Sequence, residues 1–321
     1  MPSPDEGPVP GTGAFCYVVL CHDDAPAALR LARAVRRSSN GSRVLLRHDR
    51  PAGYLSAEDA RAAGAELLRS DVRVRWGGWS LVEAMLEAAR HAVDVLGAEH
   101  VVLVSGHDHP VRDLAAWEAD VRTSGADALL DVDDDPDPAR HRYRWRTWSA
   151  PTGTPSPARR VSRVLWQRGP ARWQRLVLAY PTSRAGVWAV GVRARRDPVE
   201  ALGLPYVKAS QWMVLSRAAV EVVTGAGAAR ARRVFARCRI PDESYVQSVV
   251  SGDPQLRVLE GPTTFTVFPP GSASPRPLVA DDVPAALASG AAFARKVDGS
   301  PASEAVVRAL DAASQAPPPA G

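Results

Sequence analysis

Lysine is almost missing from this 321-residue chain. Of 40 basic residues only Lys208 and Lys296 are lysines, and the other 38 are arginines. Such a bias fits a GC-rich genome, so the formal net charge of +5 says little about partners. The arginines are interleaved with Asp and Glu along the whole chain, whereas a nucleic-acid binder gathers its charge on one face. No nucleic-acid partner is expected. Cysteine is also scarce. Cys16, Cys21 and Cys238 are odd in number and fit no zinc spacing, which excludes a disulfide framework and points to a reducing cytoplasm. No run reaches the roughly 18–20 apolar residues of a membrane span. Met1–Gly13 lacks the charged start and apolar middle of a signal peptide and reads as a disordered leader. There is no Walker lysine loop, no Gly-x-Ser-x-Gly elbow and no Gly-x-Gly-x-x-Gly, and no repeat of 20–50 residues.

What is present is a 45% hydrophobic chain, long enough for a sizeable core. Strands are expected at Phe15–Leu20, Arg43–Leu46, Val72–Val74, Val101–Val104, Ala126–Leu130 and Gln211–Leu215. Between them, helices are expected over Pro26–Arg36, Ala57–Leu68 (boxed by Ser56 and Asp59), the segment behind Ser80 and Glu83, and Leu114–Val121. Further on, Ser216 caps a helix over Arg217–Val223, and Pro241 opens another. Strands alternating with helices predict an α/β fold with a mostly parallel central sheet and helices on both faces. Residues 14–298 read as one domain. It has an elaborated region at about 140–205 that holds five of the nine tryptophans, and a short helix and Pro-rich tail follow at 299–321.

Ligands of such sheets bind beyond the carboxyl ends of the strands. Three polar clusters fall there: His22-Asp23-Asp24, His48-Asp49 and His107-Asp108-His109. Glu243 is the best single candidate for chemistry. In the first turn of a helix the dipole favours its ionised form, and an ionised Glu beside a hydroxyl is a general base. The same placement also suits an ordinary helix-start carboxylate. Asp108 and the run Asp131-Val132-Asp133-Asp134-Asp135 are candidate metal ligands, with a solvated loop as the other reading of the run. His107 and Asp108 would point to opposite sides of an extended chain.

Four segments in order carry a resemblance: Trp76-Gly77-Gly78-Trp79-Ser80-Leu81-Val82-Glu83-Ala84, Val104-Ser105-Gly106-His107-Asp108-His109-Pro110, Ser210-Gln211-Trp212-Met213-Val214-Leu215-Ser216-Arg217, and Pro241-Asp242-Glu243-Ser244-Tyr245. Together they resemble the core-2/I-branching enzyme family of glycosyltransferases (family 14), which includes β-1,6-N-acetylglucosaminyltransferases and peptide xylosyltransferases. The resemblance runs from about Phe15 to Asp298. It implies a GT-A-like fold and inverting transfer of a GlcNAc-like or xylose-like sugar from a UDP-sugar. No metal and no other cofactor would be needed. Glu243 would be the base. His22, Asp49, Trp76, Ser105 and Asp108 would line the nucleotide site, and Arg276 and Lys296 would neutralise the diphosphate. Ser210, Gln211, Trp212, Asp133 and Arg142 would shape the sugar or acceptor pocket. The secretory anchor and disulfides of the core-2 enzymes are missing here, Ala209 stands where the family has Gly, and only Phe265 and Phe268 follow as aromatics near the acceptor position. A soluble bacterial-type enzyme acting on a small-molecule or glycan acceptor, as in specialised metabolism, is therefore expected. Two alternatives remain: a metal-dependent transferase using Asp108 or Asp131/Asp133, and a non-catalytic nucleotide-sugar or carbohydrate binder.

Overall fold

The computed structural model describes residues 14–39, 41–49, 55–133, 145–151, 177–181, 187–193, 197–270, 272 and 274–314. The expected leader, Arg142, most of the Trp-rich region and the Pro-rich tail lie outside these residues.

The first half alternates as its apolar pattern requires: β1 (Phe15–Cys21), α1 (Ala25–Ser38), β2 (Arg43–His48), α2 (Ala57–Ala62), β3 (Glu66–Leu68), α3 (Trp79–Asp94), β4 (His100–Ser105), β5 (Asp108–Pro110), α4 (Leu114–Ser124) and β6 (Ala128–Leu130). The elaborated region contributes β7 (Trp145–Pro151), β8 (Val177–Pro181) and β9 (Val187–Arg193). Then come β10 (Val214–Ser216), α5 (Arg217–Thr224), α6 (Ala229–Phe235), α7 (Tyr245–Ser251), β11 (Val258–Glu260), β12 (Thr264–Thr266), α8 (Val283–Ala288), β13 (Phe293–Arg295) and α9 (Pro301–Ser314).

The central sheet has the order β11-β6-β10-β4-β1-β2-β3. Only β10 runs antiparallel to its neighbours. Successive strand residues feed opposite cores, as a period of two demands. Cys16, Val18, Val101 and Leu103 join the cluster under α3, α5, α6 and α7. Tyr17, Val19, Val102 and Val104 join the one under α1, α2 and α4. Helices thus cover both faces, and the chain is the α/β architecture that its alternation predicted. A second sheet, β12-β13-β5, packs its own small core against α8 and α9. A third, β7-β9-β8, is antiparallel.

Several local expectations are corrected. The helix from Ala57 stops at Ala62 instead of Leu68, because Gly64 turns the chain at φ 74° and the segment behind it becomes β3. The third strand is therefore Glu66–Leu68, and Val72–Val74 is an irregular loop. Ser80 does not cap α3. Gly78 does, without a side-chain bond, and the Ser80 hydroxyl accepts from Arg75 N at 2.7 Å. A cap contributes about 1 kcal/mol, whereas each of Val82, Met85 and Val93, fully buried on α3, contributes roughly 1.5–3 kcal/mol. Packing therefore decides this helix. The strand expected at Gln211–Leu215 begins only at Val214, since Ser210–Trp212 turns toward the sheet edge.

Candidate functional site

The registers Cys21↔His48 and Leu20↔Ser105 bring the carboxyl ends of β1, β2 and β4 level, so the three polar clusters share one edge of the sheet. Gly106 lets β4 turn there. A Cβ at Gly106 would stand 2.8 Å from the Cys21 Cβ, closer than packed carbons allow.

A cleft of about 470 Å³ opens at this edge, lined by Asp23, Asp24, His107, Pro277, Lys296 and Asp298 among others. Lys296 follows β13 directly and is held from three sides. Val297 N donates to His107 O (2.8 Å), Leu278 N donates to Lys296 O (2.9 Å), and Arg30 of α1 reaches Val297 O (3.1 Å). Burial holds the His107 ring below its usual pKa, an effect that Asp23 opposes and Lys296 reinforces. Hydrogen bonds from Ser300 and Ser303 hold the Asp298 carboxyl below its usual range. The cleft thus brings one lysine together with three aspartates and the His107 imidazole. His22 is exposed and lies 3.4 Å from Asp23.

Asp108 does not line this cleft. It is 1% exposed, takes Ser105 N at 2.8 Å and faces Arg295 Nε at 3.9 Å. Burial pushes its carboxyl up to about 7, against the pull of Arg295 and of the Ser105 N–H. Arg295 in turn lies over the Trp212 ring, 4.6 Å from its centroid. Trp212 is 7% exposed, so it packs under the edge. Ser105 is buried with them. Arg276 runs beside Lys296 through Leu278, but its guanidinium is forked onto Asp282 at 2.7 and 2.8 Å. Asp133 is ion-paired with Lys208.

Glu243 ends a 3₁₀ turn, Pro241–Glu243, which stands before α7 and not in its first turn. Ile240 enters this turn at φ 49°, the left-handed region. Its N–H donates to Gly77 O (3.1 Å), tying Glu243 to the Trp76-Gly77 turn. On the other side Ala209 N donates to Glu243 O (3.1 Å), and Gln247 Nε2 donates to both Ser210 O and Asp242 O (3.0 Å each). Ser210 N then donates to Asp131 O at 2.8 Å. Trp76 is 61% exposed at this rim, and Asp49 Oδ1 accepts from Val74 N (2.7 Å) just before it. Hydrogen bonds therefore gather three of the four sequence segments around Glu243.

The family model for the Core-2/I-Branching enzymes matches residues 15–266, most of the chain. The chain belongs to the core-2/I-branching enzyme family. That family is one of glycosyltransferases. The match includes Glu243, Asp49 and Trp76 and ends before Arg276 and Lys296. No curated protein matches the sequence significantly. Among solved structures, the apo WbbM bifunctional glycosyltransferase has a TM-score of 0.45 at 12% identity, over 95% of this chain and 50% of that one. A putative glucose-1-phosphate thymidylyltransferase from Bacillus anthracis, in complex with a sucrose, has 0.34 at 9% identity, over 77% and 87%. A cytidylyltransferase from Leptospira borgpetersenii has 0.27 at 12%, over 37% and 54%. The chain thus spans about half the length of WbbM and of the cytidylyltransferase.

Sequence reasoning missed Arg295, Asp298, Arg30 and Arg47 of this core-2/I-branching member. Arg47 left a readable signal, a charge directly after the apolar run Val44-Leu45-Leu46 and before His48-Asp49. The others needed β13 to be placed beside β5. Among the described residues no group of three or more His, Cys, Asp or Glu side chains is gathered as for a metal, and no helix is long and apolar enough to cross a membrane.

Proposed function

We propose that this chain is an inverting, metal-independent glycosyltransferase of GT-A-like fold, moving a GlcNAc-like or xylose-like sugar from UDP to a hydroxyl of a small-molecule or glycan acceptor. The observation that supports it most is the position of Glu243. Its turn is bonded to Gly77 on one side and to Ala209 on the other, at the sheet edge where a nucleotide would lie. In this reading the Glu243 carboxylate takes the acceptor hydroxyl proton. The acceptor oxygen forms a bond to the anomeric carbon as the bond to the UDP oxygen breaks, and the electron pair leaves with UDP. Charge grows on the diphosphate in that step, and the fixed Lys296 ammonium stabilises it. Arg276 would add to this only by loosening from Asp282. Asp49 and the exposed Trp76 ring suit the nucleoside, since an aromatic face stacks on a base. In this reading Ser210, Gln211 and Asp133 would shape the acceptor side, with Ser210 O joined to the Glu243 turn through Gln247.

The test is a thermal-shift screen of the wild type and Glu243→Gln against UDP-, GDP-, dTDP- and CMP-sugars, followed by transfer assays with and without EDTA. UDP-sugars should raise the melting temperature of both proteins. Turnover should fall by about 10²–10⁴ in Glu243→Gln and persist in EDTA. Undiminished transfer by Glu243→Gln would sink the base assignment, and loss of transfer in EDTA would sink metal independence. An α-linked product from an α-linked donor, seen by NMR, would rule out inversion.

A further inference from the structure

Arg47 is the largest fully buried side chain among the described residues, 2% exposed near the carboxyl end of β2, one strand in from the sheet edge. Taking a guanidinium out of water is expensive, and an apolar side chain of similar volume would fill the same space without that cost. Its two terminal nitrogens are directed at one segment, while Nε is buried without a hydrogen-bond partner among the described residues. The terminal nitrogens reach Asp49 Oδ1 (3.2 Å), Ser70 Oγ (3.4 Å) and Val72 O. Asp49 Oδ1 also accepts from Val74 N, and Ser70 Oγ accepts from Val72 N (3.1 Å) while it donates to Glu87 of α3. Residues 70–74 form neither helix nor strand. Their backbone is held instead by Arg47 of β2, by Asp49 just beyond it and by the Ser70 hydroxyl, which Glu87 of α3 anchors. The loop leads straight into Trp76, whose ring stands out in solvent, and into Gly77, which anchors the Glu243 turn.

We infer that Arg47 is a positioning residue for donor recognition: it fixes Asp49 and the 70–74 loop so that Trp76 is presented to the nucleoside in one place. This rests on the nucleotide-donor reading above. Arg47 has no surface to offer a ligand, so it acts through those neighbours. It acts on binding and not on the transfer step. A lysine would not replace it, because one ammonium cannot span a carboxylate and two loop oxygens as a planar fork does.

The experiment compares wild type, Arg47→Met, Arg47→Lys and Ser70→Ala by UDP calorimetry and by KM and kcat for the UDP-sugar. Arg47→Met should raise the UDP Kd and the donor KM roughly 10-fold or more, from loss of charge-assisted hydrogen bonds, with kcat at saturation unchanged. Ser70→Ala should raise both by roughly 2–5-fold, and Arg47→Lys should fall between wild type and Arg47→Met. If Arg47→Met does not fold, Ser70→Ala decides. A folded Arg47→Met, or a Ser70→Ala, with wild-type Kd overturns the inference, as does a loss of kcat at unchanged Kd. If the wild type binds none of UDP, GDP, dTDP and CDP, the donor reading itself fails and the inference falls with it.

Discussion

Asp108 should carry a pH effect opposite in sign to that of a salt-bridged carboxylate, and replacing it with Asn should remove that effect. Asp108 is wholly buried, and burial lifts its carboxyl from 3.8 to about 7. Below about pH 4 the group is protonated in both the folded and unfolded chain and contributes no pH dependence. Between its unfolded and folded pKa the unfolded chain has released the proton while the folded chain still holds it. Stability therefore falls as pH rises through that window, and the loss is complete above about pH 7. At 1.36 kcal/mol per unit the full loss is at most about 4 kcal/mol, of which about 2–3 kcal/mol falls between pH 5 and 8. Asn keeps the acceptor for Ser105 N and cannot titrate. Urea unfolding of both proteins at pH 5, 6, 7 and 8 isolates the term, because all other titrations cancel in the difference. The stability of Asp108→Asn relative to wild type should climb by about 2–3 kcal/mol across that range. A difference that stays flat, or that falls with pH, would show that Arg295 keeps Asp108 ionised as an ordinary carboxylate and would refute the burial reasoning.

Other substitutions read other parts of the edge. Gly106→Ala forces a methyl to 2.8 Å from Cys21 Cβ and should cost about 1–3 kcal/mol in urea unfolding; a neutral effect would mean that the β4 turn yields freely. Lys296→Ala should weaken UDP binding about 10–100-fold by calorimetry, the worth of a charge-assisted hydrogen bond, and unchanged affinity would remove Lys296 from the diphosphate role. Lys296→Arg should lose activity, because a planar guanidinium fork does not replace a compact ammonium, and full activity would show that any cation serves at this position. Tyr245→Phe deletes the 2.6 Å bond to Val223 O. That carbonyl keeps a second donor in Arg232 (3.2 Å), so the cost in thermal unfolding should stay near 1 kcal/mol, and a loss several times larger would mean that the hydroxyl organises more than this contact.

Most of the frame was legible along the chain because it depends on local pattern. Apolar runs gave β1, β2 and β4, helical spacing gave α1, α3 and α4, and the polar residues at strand ends marked the edge. Errors came where one residue outweighed a longer pattern. Gly64 ended α2 early, and Ser244 at φ −152° split the Glu243 turn from α7.

The sequence by itself determined the α/β alternation, the family and the ends of the strands where a ligand belongs. Only tertiary structure decided which polar residues at those ends face solvent. His107 and Asp108 are neighbours, yet one lines the cleft and the other is sealed in, because β13 pairs with β5 and sets Arg295 opposite Asp108. Burial is a property of what packs on the far side of a residue, and here that is a strand from the other end of the chain. The same holds for the scarce lysines. The sequence singled out Lys208 and Lys296, and folding paired the first with Asp133 and gave the second to the cleft.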